Sequence, residues 1–522
     1  MSVDTELTVD VIVVGAGTAG CVMAARLSED PACRVLLVEA GGDEPYVEAG
    51  DAAKLHADPN RDWRYPARLT RRAEQDVVLS RGRMVGGSGA INGAIFFRGL
   101  PEDYDGWGSP LWSYDALLPL FRRVEHDFDF AGPHHGSDGP IPVVRPPEEQ
   151  WYPYTDAFYE SSIETGFAEK PDLSAPDGSG IGPIPLNRFE GRRVSADIAY
   201  LDPAAIRPNL LIWTNAASTK IIFDGMRATG VAILRDRRLE LVRADKVVLC
   251  AGAIATPHLL MLSGVGPASH LKEHGIPVVI DMPGVGSNAS DHPMLAVSVA
   301  VTPQHLPSPD IYPYFQAMLV HSTPSGSRND MHTWPTYVPP TGTHPVTATH
   351  GTQSGLVLGS LLQQPASRGE VRLRSGDALA SPKLAFNHLE DAGDLRRFRE
   401  AIDVTLEILA GKPLAKLVGR RISPSDEDLA TARSFENWAH ISLATAKHTT
   451  GTCRMGSTTD TFAVADFDGT IHGVENVTIA DLSLCPQIVR APPNNTAFVI
   501  GERIADVLKG EAAVGSKTLV NA

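Results

Sequence analysis

The segment VDVIVVGAGTAGCVMAARL, residues 9–27, restricts the fold more than any other stretch. Val9 to Val14 is a β-branched run, interrupted only by Asp10, of the kind buried on both faces of a parallel sheet. Gly15, Gly17 and Gly20 follow at GxGxxG spacing, and Cys21 to Leu27 reads as a helix. A second apolar strand, Arg34 to Val38, ends in Glu39, which lies 19 residues after Gly20. A carboxylate about 20 residues past the glycines binds a ribose hydroxyl pair in dinucleotide folds. The glycines serve different ends. Gly15 makes the tight turn, Gly17 admits a pyrophosphate, and Gly20 lets helix pack on strand. The helix N-terminus then faces the negative charge. Such a unit serves NAD or FAD equally well.

Further glycine clusters narrow the choice. Residues 82–99, GRMVGGSGAINGAIFFRG, place Gly82, Gly86, Gly87 and Gly89 within eight positions, followed by Asn92. They predict a loop that hugs a flat, extended ligand with backbone amides. Residues 246–266, KVVLCAGAIATPHLLMLSGVG, read as a strand, a Gly-Ala turn, a Thr-Pro helix start and a glycine stop. HTTGTCRMG (448–456) precedes a strand at Val477 to Ala480 and then Asp481. The chain closes on the amphipathic helix NNTAFVIGERIADVLK, with Asn494 or Asn495 as the expected cap.

Four segments, GRMVGGSGAINGAIFFRG, GAIATPHLLMLSGVG, HTTGTCRMG and VTIADLSLCPQ (477–487), in this order, resemble those of the glucose-methanol-choline (GMC) oxidoreductases, FAD-dependent enzymes that oxidise alcohols. The likeness runs from Val9 to about Leu508. It implies an α/β fold: a Rossmann-like FAD-binding domain with an inserted α+β substrate-binding domain built on an antiparallel sheet. The FAD-binding part would take residues 1–150, 200–298 and 446–511, the substrate-binding part 151–199 and 299–445, and 512–522 would be a C-terminal tail. The inserted stretches are richer in Pro, Tyr, Trp and His, as in PSPDIYPYF and HTWPTYVPPTGTH, and Gly355 to Leu361 and Glu370 to Leu373 read as strands.

The resemblance also implies contacts to non-covalent FAD. Gly15, Gly17, Thr18, Ala19 and Gly20 would meet the pyrophosphate, while Glu39, next to Ala40, would bind the adenosine ribose. Arg83, Val85, Gly86, Gly87, Ser88, Asn92, Gly93 and Ala94 would pass close to pyrophosphate and flavin. Asp481 and Leu482 would hold the ribityl-phosphate region, with Ala251, Pro493, Asn494 and Asn495 as further contacts. Some members tether FAD through a His whose place here is taken by Ile91.

Oxidising a primary alcohol by hydride transfer to flavin N5 requires a base near the hydroxyl, and imidazole suits that role. His448, three residues before Gly451, stands where the family carries its catalytic His. The N-terminus of the last helix, around Asn494 to Thr496, offers amides and a positive dipole end for charge placed on the flavin, and Asn494 is a second catalytic candidate. The family's usual second His or Asn falls on Pro492, which can neither donate nor accept. Pyridoxine oxidases share that proline, which points to an aromatic or heteroaromatic alcohol. His292 in SDHP reads as structural, and His440 and Lys447 have no assigned role. The competing activity is a FAD-containing hydroxynitrile lyase that uses His448 for acid-base cleavage without redox turnover. Oxygen, a quinone or another redox carrier would accept the electrons.

Net charge, 46 − 62 = −16, opposes binding to nucleic acid or anionic lipid. Five scattered cysteines without CxxC spacing suggest neither disulfides nor zinc, and no metal is expected. The acidic N-terminus and the absence of about 20 consecutive apolar residues lead to the expectation of a cytoplasmic protein without a membrane span.

Overall fold

The computed structural model describes residues 7–44, 60–301, 315–338 and 355–511. Most of PSPDIYPYF, the end of HTWPTYVPPTGTH and the tail 512–522 lie outside them.

The β-branched run forms the strand Thr8–Val14, flanked in parallel by Val35–Val38 and Arg238–Leu249, with Leu210–Trp213 beyond Val35–Val38. Arg238–Leu249 has two partners along its length. Residues 238–243 pair antiparallel with Arg227–Arg235, and Val247–Leu249 pair in parallel with Val477–Ile479. Val14, Val38 and Leu249 are in register, so Gly15, Glu39, Cys250 and Ala480 leave the sheet at one edge. That carboxyl edge is where open parallel sheets bind ligands.

A second, antiparallel sheet runs Val418–Ser423, Pro293–Val301, Gly355–Leu362, Met331–Val338, Ala317–His321 and Gly180–Pro183. Gly355–Leu362 is buried at every position and is covered by the helix Ala392–Ala410. Ala444–Thr445 adds a short antiparallel pairing to Pro293–Met294. A four-stranded sheet, Glu370–Arg372, Lys383–Ala385, Tyr65–Arg68 and Val77–Leu79, joins chain from both expected domains.

Several expectations need correction. The boundary at 298 falls inside Pro293–Val301, because that strand's partners are the antiparallel strands. Asp197–Leu201 packs on the helix Thr18–Leu27, and the Tyr200 hydroxyl donates to Glu502 at 2.8 Å, so the stretch ending at 199 runs into the nucleotide-binding half. Gly87–Ile91 forms one helical turn within the expected loop. The helix expected to start at Thr256-Pro257 starts at Gly252 instead, with Pro257 inside it. A proline there leaves the Ala253 carbonyl without its helical donor, and the Thr452 hydroxyl supplies one at 2.5 Å. Neither Asn494 nor Asn495 caps the last helix, Asn494–Lys509: Pro493 occupies the cap position and no side chain caps it.

Candidate functional site

A cavity of about 890 Å³ opens at the carboxyl edge of the parallel sheet and extends to the antiparallel sheet. Gly15, Gly17, Thr18 and Ala19 form one wall, where the helix Thr18–Leu27 begins without a side-chain cap. Its first amides therefore face the cavity. An added Cβ at Gly17 would meet no atom within 4 Å, whereas one at Gly20 would lie 1.8 Å from the Gly15 oxygen. Gly17 thus keeps the cavity clear and Gly20 packs helix against turn. Gly87, with φ +55°, brings its backbone so near Gly17 that a Cβ would stand 2.7 Å from the Gly17 Cα.

Glu39 lines the same wall and takes the amide protons of Ala16 and Gly41, both at 2.9 Å. Burial pushes its carboxyl up, and those amides oppose the shift. Asp481 accepts from the Gly252 amide at 2.8 Å, the Thr256 hydroxyl at 2.6 Å and the Ser483 amide at 2.8 Å. It fixes the turn that carries Ala251 and Leu482 to the wall. The Asn494 Oδ1 accepts from the Thr18 hydroxyl at 2.9 Å, while its Nδ2 is buried with no acceptor.

Ala40, Ser88, Asn92, Gly93 and Pro493 also line the cavity. Gly20, Arg83, Val85, Gly86, Ala94 and Asn495 do not, and stand behind the wall. Arg83 lies over the Trp63 ring at 5.1 Å, and the Gly86 amide donates to the Ala16 carbonyl at 2.8 Å. The Asn495 side chain is buried with no partner on either amide atom.

His448 is brought to the cavity by the short pairing of Ala444–Thr445 with Pro293–Met294. That pairing sets the Ala446 amide on the His292 carbonyl at 2.9 Å and lets Asp291 accept the His448 amide at 2.6 Å. The two imidazoles then meet, Nδ1 to Nδ1, at 2.9 Å. His292 Nε2 lies 3.0 Å from the Val489 carbonyl, which can only accept. His292 Nε2 therefore carries the proton. Burial holds the His292 pKa down to about 3, so the ring is neutral and its Nδ1 is bare. His448 must donate from Nδ1, and its Nε2 is left as an acceptor. Burial first, and then any positive charge on the neighbouring His292, Arg81 and His332 groups, keeps His448 well below the ordinary imidazole range.

The reading of His292 as structural thus missed its bond to His448. The signal in the sequence was SDHP itself, but a contact across 156 positions has no local pattern. His440, on Ala432–Ser442, does not line the cavity. Among the described residues one group has metal-ligand spacing, Glu125, Asp127 and His135. Arg98 and Arg145 already pair with its carboxylates at 2.5 and 2.7 Å, so it is an ion-pair network.

Two family models, both described as GMC oxidoreductase, match residues 9–294 and 365–501. The chain belongs to the GMC oxidoreductase family. Over 523 residues, 96% of this chain and 98% of the relative, it is 36% identical to an uncharacterised GMC-type oxidoreductase of Rhodococcus erythropolis. It is also 36% identical, over 96% of this chain and 95% of the relative, to an oxygen-dependent choline dehydrogenase of Chromohalobacter salexigens. The crystal structure of pyridoxine 4-oxidase from Mesorbium loti superposes with a TM-score of 0.88 at 28% identity, over 97% of this chain and 100% of that one. The chain is accordingly an FAD-dependent GMC oxidoreductase acting on alcohols, with a Rossmann-type FAD-binding domain and a substrate domain.

The cavity residues fit the cofactor. The uncapped helix start and the cleared Gly17 suit a pyrophosphate, and the orphaned Asn494 Nδ2 supplies a buried donor. Ile91 lines the cavity with a side chain that has no nucleophile, in keeping with non-covalent FAD. No helix among the described residues is long and apolar enough to cross a membrane.

Proposed function

We propose that this GMC oxidoreductase oxidises a primary aromatic or heteroaromatic alcohol to the aldehyde, with His448 as the base. The observation that carries the reading is the chain of hydrogen bonds from His448 through His292 to Val489, which leaves His448 Nε2 unprotonated. His448 Nε2 takes the hydroxyl proton as the alcohol carbon gives up hydride. Bound FAD supplies the two-electron acceptor for that hydride. Asp291 keeps the base in place by accepting the His448 and His292 amides and the Thr445 hydroxyl.

Tyr152, Phe315, Trp334 and Tyr337 on the cavity wall support an aromatic substrate, as do Pro492 and the likeness to pyridoxine 4-oxidase. The FAD residues proposed are those along the wall: Gly15, Gly17, Thr18, Ala19, Glu39, Ala40, Gly87, Ser88, Asn92, Gly93, Ala251, Asp481, Leu482, Pro493 and Asn494.

The test is anaerobic bleaching of the flavin spectrum by candidate alcohols. His448→Ala should slow it by about 10²–10⁴-fold. An unchanged rate removes His448 from the mechanism. Persistent colour with every alcohol, alongside cyanide release from a cyanohydrin, would replace oxidation by lyase chemistry.

A further inference from the structure

Lys447, immediately before the proposed base, is not used by the mechanism above. Its backbone sits at φ +65°, a left-handed conformation uncommon for a residue with a side chain. The Lys447 amide donates to the Thr445 hydroxyl at 2.9 Å, and that hydroxyl donates to Asp291 at 2.5 Å. This turn places Lys447 on the cavity wall beside His448. No carboxylate among the described residues lies within ion-pair distance of its ammonium.

The charges around it are arranged unevenly. Arg81 lines the same wall and donates to the Thr449 hydroxyl at 2.9 Å. The nearby carboxylates, Asp62 and Asp291, are 2% and 0% exposed and do not reach the cavity surface. Asp62 takes the Arg64 and Arg81 amides on Oδ1, its Oδ2 being buried without a hydrogen-bond partner, and Asp291 takes the His292 and His448 amides and Thr445. The carboxylates that do line the cavity, Glu39 and Asp481, are committed to the nucleotide-binding turns. The wall beside His448 therefore shows cations with their counter-charges behind them. An ammonium withdrawn from water without a partner is unfavourable, and burial accordingly lowers the Lys447 pKa. An anion carried in by the ligand would relieve it.

We infer that Lys447 is the anion-recognition residue of the substrate pocket, and that the aromatic alcohol oxidised here carries a carboxylate. The inference rests on the alcohol-oxidising reading of the same site. A quaternary ammonium alcohol such as choline would instead meet like charge, so the pocket should turn over choline poorly despite the relatives that bear its name.

The experiment compares benzyl alcohol, 2-, 3- and 4-(hydroxymethyl)benzoate and choline by kcat/KM, in the holoenzyme and in K447M and K447R. In parallel, benzoate and benzamide binding are measured by perturbation of the flavin absorbance. At least one hydroxymethylbenzoate should exceed benzyl alcohol by about tenfold or more, with choline the poorest. In K447M that ratio should fall towards one, and in K447R it should persist. Benzoate should bind K447M about tenfold more weakly, with benzamide far less affected. A ratio near one in the parent enzyme overturns the inference. So does a K447M effect equal for charged and neutral alcohols, which would place Lys447 on the reacting oxygen, or a loss of FAD with the ratio intact, which would place it on the cofactor. Failure of every alcohol to bleach the flavin defeats the oxidation reading instead. Benzoate binding that still depends on Lys447 would then keep anion recognition standing.

Discussion

Replacing His292 by Leu removes the acceptor that holds the proton on His448 Nδ1 and leaves the overall side-chain volume nearly unchanged. A hydrogen bond of this kind contributes about 0.5–1.5 kcal/mol net, and each 1.4 kcal/mol is a factor of ten. Losing it lets His448 shift its proton to Nε2, the atom that must accept, so the ratio of reactive to unreactive tautomer falls by about 2–12-fold. The Val489 carbonyl is also left without its donor at 3.0 Å, a stability cost of about 1–3 kcal/mol. In anaerobic stopped-flow with a good alcohol substrate, His292→Leu should therefore reduce its flavin several-fold more slowly at unchanged flavin content. His292→Asn, whose amide oxygen lies near the Nδ1 position, should recover most of the rate. A rate within twofold of the parent would show that His448 needs no such restraint. A loss as deep as that of His448→Ala would make His292 a proton carrier in its own right, and either outcome refutes the tautomer argument.

Three further consequences are open to measurement. Because burial and neighbouring charges hold His448 well below its ordinary range, the base stays unprotonated as pH falls through 6.5. The flavin-reduction rate should drop only at lower pH, and a midpoint at or above 6.5 contradicts the assignment. Gly17→Ala should fold normally yet bind FAD more weakly, since its Cβ projects into the cavity. Gly20→Ala, which forces a Cβ to 1.8 Å from the Gly15 oxygen, should lose both flavin and thermal stability, and parental values for both would contradict the packing role. His135 lies 3.0 Å from Asp127 and 2.9 Å from Asp172, and these carboxylates raise its pKa to about 11 against the opposing effect of burial. His135→Leu removes its hydrogen bonds to these carboxylates, which keep Arg145 as a partner, and should cost about 1.5–3 kcal/mol in denaturant unfolding. The raised pKa makes that stabilisation full below pH 6.5 and loses it progressively as pH rises towards 11, so the gap between parent and variant should narrow over that window.

What the chain disclosed in advance was whatever depends on neighbours in sequence. Gly15, Gly17, Gly20 and Glu39 encode a turn whose shape is local, and Val9 to Val14 encodes a strand buried on both faces. The turns after Thr8–Val14, Arg238–Leu249 and Val477–Ile479 likewise meet at one cavity because those strands end in register. The misplacements have a common cause. Pro293–Val301 looks like any apolar strand, and only its partners assign it to the antiparallel sheet. Asn494 has the composition of a cap, but the Thr18 hydroxyl, 476 positions away, competes for its oxygen. His292 is the sharpest instance: its sealed environment and its bond to a carbonyl are what make it structural, and the same two facts dictate which nitrogen of His448 can act as a base. Structural and catalytic are therefore not alternatives for that residue. A buried imidazole with one committed nitrogen has only its other nitrogen left to instruct a neighbour, and the fold here puts that neighbour on the cavity wall.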